Sequence, residues 1–272
     1  MDLSELEKFW TSPGTDKGDV QRQIWDRAAE DYYKKPLPDF ETDPFLRQLV
    51  KQFPLDTAMR CLDIGCGAGR YTMALAPRVK EAVGVDISPR MIRFAEKVAR
   101  EHGLDNTHFQ CLDWAEADID KLGLRNSFDL VFAHMTPAVS DFTTFDKLNA
   151  CSRRWCIVEK PSRRRDLVLD AALNTIGFRA EDTHSDSGVP YAFAYLWSKG
   201  YTPSLDYRRE EWRVQRTEED MVSWCVDRAR LCRDITASEE SAIRDLVSSF
   251  SDEGKTEEIV TTTIVTIFWE IL

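Results

Sequence analysis

Residues 60–72 read RCLDIGCGAGRYT, and this stretch decides the predicted fold. A short apolar run leads into glycines that alternate with other residues, at positions 65, 67 and 69. A buried strand that passes through a glycine turn into a helix is typical of α/β proteins that bind nucleotides. The strand also carries a carboxylate, Asp63, which would repel a pyrophosphate. We therefore expect a nucleotide-like ligand with a positive charge near Asp63.

Downstream of this turn, apolar runs of strand length alternate with helical patterns. Four further strands are predicted, reading EAVGVDI, THFQCL, FDLVFAHM and RWCIVEK, and the helical segment PRMIRFAEKVAREHG lies between the first two. Such alternation is typical of a doubly wound parallel sheet, which binds ligands at the carboxyl ends of its strands. The sequence therefore predicts an α/β fold with the glycine turn at its ligand-binding edge.

The segment before the first strand is predicted to be helical. Residues 1–42 contain apolar residues that recur every four positions, and they are interpreted as an N-terminal helical lid. A helix that begins after Asp43, with Pro44 in its first turn, opens the core.

The last 80 residues follow a different pattern from the core. The run PYAFAYLW at 190–197 alternates aromatic with small residues, and IVTTTIVTIFWEI at 259–271 is rich in β-branched residues, so both are predicted strands. Between them, residues 200–258 carry two helical patterns, one after Thr217 and one after Thr236. We interpret 200–258 as a helical insertion that covers a substrate, and 43–199 with 259–272 as the core.

Composition restricts the partners of the chain. The 36 basic and 47 acidic residues give a formal net charge of −11, which disfavours nucleic acid as a partner. No apolar run has the length of a membrane-spanning helix and no secretory signal is evident, so we expect a cytoplasmic protein without membrane contact. The seven cysteines show no C-x-x-C spacing and the histidines no H-x-x-x-H spacing, so we expect neither a disulfide framework nor a metal site.

The order of residues after each strand distinguishes between nucleotide-type ligands. A triphosphate loop requires Gly-Lys before Ser or Thr, whereas Gly69 is followed by Arg70. S-adenosylmethionine, which carries an ammonium and a sulfonium, fits Asp63 better than a dinucleotide does. Asp86 ends the second strand, where an acid can hold ribose hydroxyls, and Asp113 follows the third, where a carboxylate can accept from an adenine amino group.

At these residues the chain resembles the class I S-adenosylmethionine-dependent methyltransferases, a Rossmann-like family with seven strands. LDIGCGAGRYT, GVDISPRMIRFA, CLDWAEAD and FDLVFAHM match four successive motifs of that family. The resemblance covers roughly residues 25 to 199 and the last strand, and it implies the strand order 3-2-1-4-5-7-6 with the last strand antiparallel. The residues then expected to bind S-adenosylmethionine, and the product S-adenosylhomocysteine, are Asp63, Gly65, Cys66, Gly67, Asp86, Ile87, Met91, Asp113, Trp114 and, from the lid, Tyr33.

The resemblance leaves the methyl acceptor open. Methyl transfer from a sulfonium is an in-line displacement that depends mainly on alignment, and a base helps only where the acceptor must lose a proton. His134, at the end of the fourth strand, is the predicted catalytic base. We expect a small-molecule acceptor under the lid and the insertion. The alternatives are a non-catalytic cofactor-binding scaffold that engages a protein partner through 200–258, and a nicotinamide oxidoreductase.

Overall fold

The computed structural model describes residues 2–11, 18–179 and 187–272, which fold around one mixed sheet. The strands are β1 Arg60–Ile64, β2 Glu81–Asp86, β3 Thr107–Cys111, β4 Phe128–His134, β5 Ser152–Asp166, β6 Ser204–Thr217, β7 Ser251–Asp252 and β8 Lys255–Glu270. The α-helices are α1 Leu3–Phe9, α2 Gly18–Tyr33, α3 Pro44–Gln52, α4 Arg70–Leu75, α5 Pro89–Glu101, α6 Phe142–Cys151, α7 Leu167–Thr175, α8 Gly188–Ser198, α9 Glu218–Cys232 and α10 Ala237–Phe250.

The sheet has the predicted strand order. It runs β3-β2-β1-β4-β5-β8-β6, and the two-residue β7 pairs only with β8. Counted over the seven long strands, this is the order 3-2-1-4-5-7-6, and the last strand is antiparallel to both of its neighbours. The carboxyl ends of β1, β2 and β4 therefore meet at one edge, which is where the glycine turn lies.

Two apolar layers hold helices against the two faces of the sheet. On one face, Phe45, Leu46 and Leu49 of α3 pack with Leu130 and other strand residues. On the opposite face, α1, α6 and α8 pack over β1, β4 and β5 in a cluster that contains the fully buried Tyr195. A third cluster joins α7, α9 and α10. None of the helices in the described part of the chain is long and apolar enough to cross a membrane.

The predicted strand at 190–197 is wrong, because this segment lies within helix α8. Its buried residues are Ala192, Tyr195 and Leu196, whose spacing of three and four places them on one helical face. The alternation of aromatic and small residues does not reflect a strand. Phe193 and Trp197 lie one helical turn from each other, and their rings stack with centroids 5.9 Å apart.

The sixth strand lies instead at residues 204–217, inside the segment that was predicted to be helical. This strand, SLDYRREEWRVQRT, is highly charged and its residues alternate between exposed and partly buried because it forms the edge of the sheet. The helical insertion between the last two long strands is therefore shorter than 200–258 and consists of α9 and α10. Both helices begin as predicted, with Thr217 and Thr236 accepting from the backbone three residues later.

Helix α2 of the N-terminal segment docks on α5. The Asp26 carboxylate accepts from the Ser88 hydroxyl at 2.5 Å and from the Arg90 backbone N–H at 3.1 Å. An ion pair between Glu30 and Arg90 extends this seam. Arg27 pairs with Asp227 of α9, so α2 bridges the sheet edge and the helical insertion.

Candidate functional site

The glycine turn after β1 is held against the neighbouring strand. The backbone N–H groups of Gly65 and Cys66 both donate to the Val85 carbonyl, at 2.8 and 3.0 Å. Gly65 has φ +71°, and a Cβ at this position would lie 2.0 Å from Oγ1 of Thr136. Gly67 has φ +55°, and a Cβ at this position would lie in ordinary contact with Sδ of Met91, 3.9 Å away. Both positions have left-handed backbone, which favours glycine. At Gly65 the loop after β4 also leaves no room for a Cβ.

A cavity of about 260 Å³ lies at this edge of the sheet. It is bounded by the ends of β1, β2 and β4, by the loop after β3 and by α2. Nine of the ten predicted cofactor residues line it, together with His134; the nine are Asp63, Gly65, Cys66, Gly67, Asp86, Ile87, Met91, Asp113 and Trp114.

The prediction for Tyr33 is corrected by the structure. Its ring stacks on Phe94 of α5, with centroids 4.5 Å apart and planes 14° apart, and Lys97 Nζ donates to its hydroxyl at 2.8 Å. Tyr32 lines the cavity instead. Successive residues of a helix point about 100° apart, so only one of the two tyrosines can face the ligand edge.

Asp86 fastens the glycine turn to β2. Its Oδ2 accepts from the Gly67 backbone N–H at 2.9 Å, and its Oδ1 accepts from the Ser88 N–H at 2.8 Å. Burial raises the pKa of this carboxyl, although both backbone hydrogen bonds oppose the rise. A carboxylate oxygen can accept more than one hydrogen bond, so Asp86 can also accept from ligand hydroxyls.

Asp63 is a buried acid that forms no ion pair within the described ranges 2–11, 18–179 and 187–272. Its side chain is 3% exposed, and its Oδ2 accepts from the Thr72 hydroxyl at 2.7 Å. Burial, followed by the negative charge of Asp86, raises the pKa of Asp63 to about 7. A ligand cation beside it would favour the ionised form and would lower this pKa.

His134 belongs to a buried network that the sequence did not predict. Its Nε2 lies 3.1 Å from Oε1 of Glu159. The Glu159 carboxylate also accepts two hydrogen bonds from the Arg208 guanidinium, at 2.8 Å each, and one from the Thr266 hydroxyl. Burial would raise the pKa of Glu159, but the bonds from Arg208 and His134 outweigh it and lower this pKa to about 2. Because Glu159 is ionised, the imidazole proton lies on Nε2, and the lone pair of the neutral ring lies on Nδ1.

The His134 ring separates two spaces. It packs between Tyr71 and Phe45, with ring centroids 4.0 and 4.6 Å away. A second cavity of about 220 Å³ shares His134, Tyr71 and Met135 with the first and extends to Arg208 and Trp212 of β6. A molecule in the second cavity would therefore be separated from the first cavity by the His134 ring.

Helix α2 forms one wall of the first cavity. Gln21, Trp25 and Tyr32 all line it, and the rings of Trp25 and Tyr32 meet edge to face at 6.2 Å. Their spacing of four and seven residues is the sequence signal that identifies this face of the helix. The described residues contain no group of three or more His, Cys, Asp or Glu side chains that could hold a metal ion.

Comparison with known proteins assigns the first part of the sheet to a family. Residues 55–173 match a protein-family model described as a methyltransferase domain. The uncharacterized methyltransferase YcgJ of Bacillus subtilis is 45% identical over 62 residues, which are 23% of this chain and 24% of that protein. The 23S rRNA (uracil(1939)-C(5))-methyltransferase RlmD of Aeromonas salmonicida is 38% identical over 72 residues, 26% of this chain and 16% of that enzyme. The chain thus matches a quarter or less of the length of these relatives.

Solved structures share the fold over a longer range. The crystal structure of YcgJ from Bacillus subtilis superposes with a TM-score of 0.50 at 19% identity and covers 82% of this chain and 96% of that one. A phosphoethanolamine N-methyltransferase from Haemonchus contortus, solved with phosphomonomethylethanolamine and S-adenosylhomocysteine, superposes with a TM-score of 0.52 at 14% identity over 93% of this chain and 59% of that one. Residues 55–173 thus match a methyltransferase domain, and the fold agrees with the class I S-adenosylmethionine-dependent methyltransferase family that the sequence resembles.

Proposed function

We propose that this chain transfers the methyl group of S-adenosylmethionine to a small-molecule acceptor by in-line displacement. One observation carries the proposal. The cavity at the glycine turn gathers three acids from the ends of three strands, Asp63, Asp86 and Asp113, around left-handed glycine backbone. Acids at these positions suit a ligand with an ammonium group, a ribose and an adenine amino group, and they repel phosphates.

Each acid has a separate task in holding the cofactor. Asp86 would accept from the ribose hydroxyls while it keeps the glycine turn in place. Asp113 would accept from the adenine amino group, with the buried Trp114 forming an apolar wall beside it. Asp63 would attract the ammonium end. When bound there, the cofactor supplies an electrophilic methyl group.

The residues around His134 complete the reaction site. Alignment of acceptor and donor provides most of the rate acceleration in a displacement, up to roughly 7 to 11 kcal/mol. Where the acceptor must lose a proton, Nδ1 of His134 is the atom that takes it, and Glu159 stabilises the resulting imidazolium. Tyr71 and Phe45 hold the ring in its orientation.

Two features favour a small acceptor over RNA, although RlmD is an rRNA methyltransferase. Helix α2 forms one wall of the cavity and is attached to α5 and α9, which narrows the access that a polymer would need. The net charge of −11 also opposes binding of a polyanion.

The test is a binding measurement followed by a turnover measurement. S-adenosylhomocysteine should bind the purified protein in calorimetry, and Asp86→Asn should weaken binding about tenfold or more because charge-assisted hydrogen bonds are lost. Asp105→Asn, an exposed acid beyond α5, is the matched control and should bind like the unchanged protein.

Turnover is followed with cofactor labelled in its methyl group. A metabolite extract and total RNA are offered separately, and label is expected in the metabolite fraction. Absence of S-adenosylhomocysteine binding would overturn the cofactor assignment, and label in RNA alone would overturn the acceptor class.

A further inference from the structure

A group of basic side chains lies where α2, α4, β5, β6 and α9 approach one another. Lys35 and Arg70 line the first cavity beside Tyr32. Arg164 of β5, Arg216 of β6 and Arg228 of α9 lie behind them; we call these five residues the basic cluster. A concentration of positive charge in a chain of net charge −11 requires an explanation.

The protein does not neutralise most of this charge. Arg164 is paired with Asp166 through two hydrogen bonds of 2.6 and 2.7 Å. Over residues 2–11, 18–179 and 187–272, by contrast, Lys35, Arg70 and Arg216 form no ion pair, and Arg70 donates only to the Pro36 carbonyl. Nε of Arg216 is buried and has no hydrogen-bond partner. Buried polar groups left without a partner are rare and costly, so this nitrogen indicates a missing ligand.

The cluster members lie close enough to influence one another and the cavity. Burial lowers the pKa of Lys35, and the charges of Arg70 and Arg216 lower it further. Burial raises the pKa of the Tyr32 hydroxyl, and Arg164, Arg216 and Arg70 all oppose that rise. Because Tyr32 lines the cavity, the field of the cluster reaches the same space as the cofactor residues.

Aromatic rings provide only partial compensation. The Arg216 and Arg228 guanidinium carbons lie 4.9 and 5.6 Å from the ring of Trp224, and that of Arg164 lies 5.9 Å from the ring of Trp212. Lys35 Nζ lies 4.4 Å from the ring of Tyr32. Cation–π attraction orients these groups but leaves their N–H donors available for an anion.

We propose that the basic cluster binds an anionic group of the methyl acceptor, a carboxylate or a phosphate, with Arg216, Arg70 and Lys35 as its donors. This inference rests on the proposed function, since it assigns a substrate class to the same site. The planar guanidinium groups suit bidentate contact with either anion. Lys35 and Arg70 line the first cavity together with Tyr71 and His134, so an acceptor whose anionic group they hold lies in the same cavity as His134.

The test uses inorganic phosphate and acetate as separate probes on protein saturated with S-adenosylhomocysteine, at constant ionic strength. Tryptophan fluorescence reports binding, because Trp212 and Trp224 lie against the cluster. At least one probe should saturate, and the probe that binds more tightly identifies the anion. Arg216→Gln should weaken that binding about tenfold.

A matched control lies on the same strand. Arg209→Gln removes the same charge from the exposed side of β6 and should leave anion affinity unchanged. Arg70→Gln and Lys35→Met should each weaken anion binding about fivefold. Because these residues lie on other elements, their variants still test the basic cluster if the Arg216 variant does not fold.

The outcomes separate this inference from the proposed function. If S-adenosylhomocysteine binds but neither anion saturates, or if Arg209→Gln weakens anion binding as much as Arg216→Gln does, the basic cluster is not an anion site. If S-adenosylhomocysteine itself fails to bind, the proposed function fails first.

Discussion

Lowering the pH should weaken cofactor binding through one carboxyl group, Asp63. Burial and the charge of Asp86 raise its pKa to about 7 in the ligand-free protein. Pairing with the cofactor ammonium requires the ionised form, so Asp63 must lose its proton on binding below that pH. The sign is therefore fixed: affinity is greatest above about pH 7 and falls as the pH decreases through it.

The size of the effect follows from the same pKa. The dissociation constant is proportional to one plus the ratio of protonated to ionised Asp63. This ratio is about 0.1 at pH 8 and about 10 at pH 6. Affinity should therefore fall about tenfold over this range, equivalent to about 1.4 kcal/mol. Close to one proton should be released per ligand at pH 6.

Calorimetry with S-adenosylhomocysteine, in buffers of different ionisation enthalpy, measures both quantities. Asp63→Asn should bind weakly at every pH and release no proton from this site. His134→Gln removes the imidazole that also lines the cavity; it is the control and should retain the pH dependence. An affinity that stays constant from pH 8 to pH 6, without proton release, would refute the reasoning.

Three further predictions concern single side chains. His134→Gln should lower kcat at least about 100-fold for an acceptor that loses a proton, while cofactor affinity changes little; equal losses in both would make the ring a structural element. Tyr32→Ala should weaken S-adenosylmethionine binding about fivefold in calorimetry, and Tyr33→Ala should not, because its ring lies on α5. Glu159→Gln removes the buried carboxylate that accepts from both terminal nitrogens of Arg208 and leaves the guanidinium only its bond to Glu210. This variant should lower the free energy of unfolding in urea by about 3 kcal/mol, whereas the exposed Glu257→Gln should have almost no effect.

The glycine turn and the acids around it could be predicted because their signals are local. Gly65 and Gly67 need left-handed backbone, and Asp86 and Asp113 follow strands that read clearly as apolar runs. A parallel sheet then places the ends of such strands at one edge. Nine of the ten predicted cofactor residues line one cavity for this reason.

The tail was harder to read because its burial depends on partners distant in sequence. Strand β6 is mostly charged or polar because it is an edge strand, and its half-buried Arg208 pairs with Glu159. Helix α8 contains aromatic residues whose order imitates a strand, and only its packing against α1 and α6 shows which of them are buried.

The sequence by itself determined the residues at the glycine turn, because backbone geometry and strand-end chemistry depend on neighbouring residues, and its resemblance to the class I methyltransferases implied the order of the sheet. Only the tertiary structure decided that Tyr32 and not Tyr33 faces the cavity, that Glu159 links Arg208 to His134, and that Arg70 and Arg216 lie near Lys35 and Tyr32. These facts depend on side chains that are distant in sequence, such as Glu159 and Arg208, which are 49 positions apart. Their charges and hydrogen bonds interact strongly only once the chain has folded and water has been excluded.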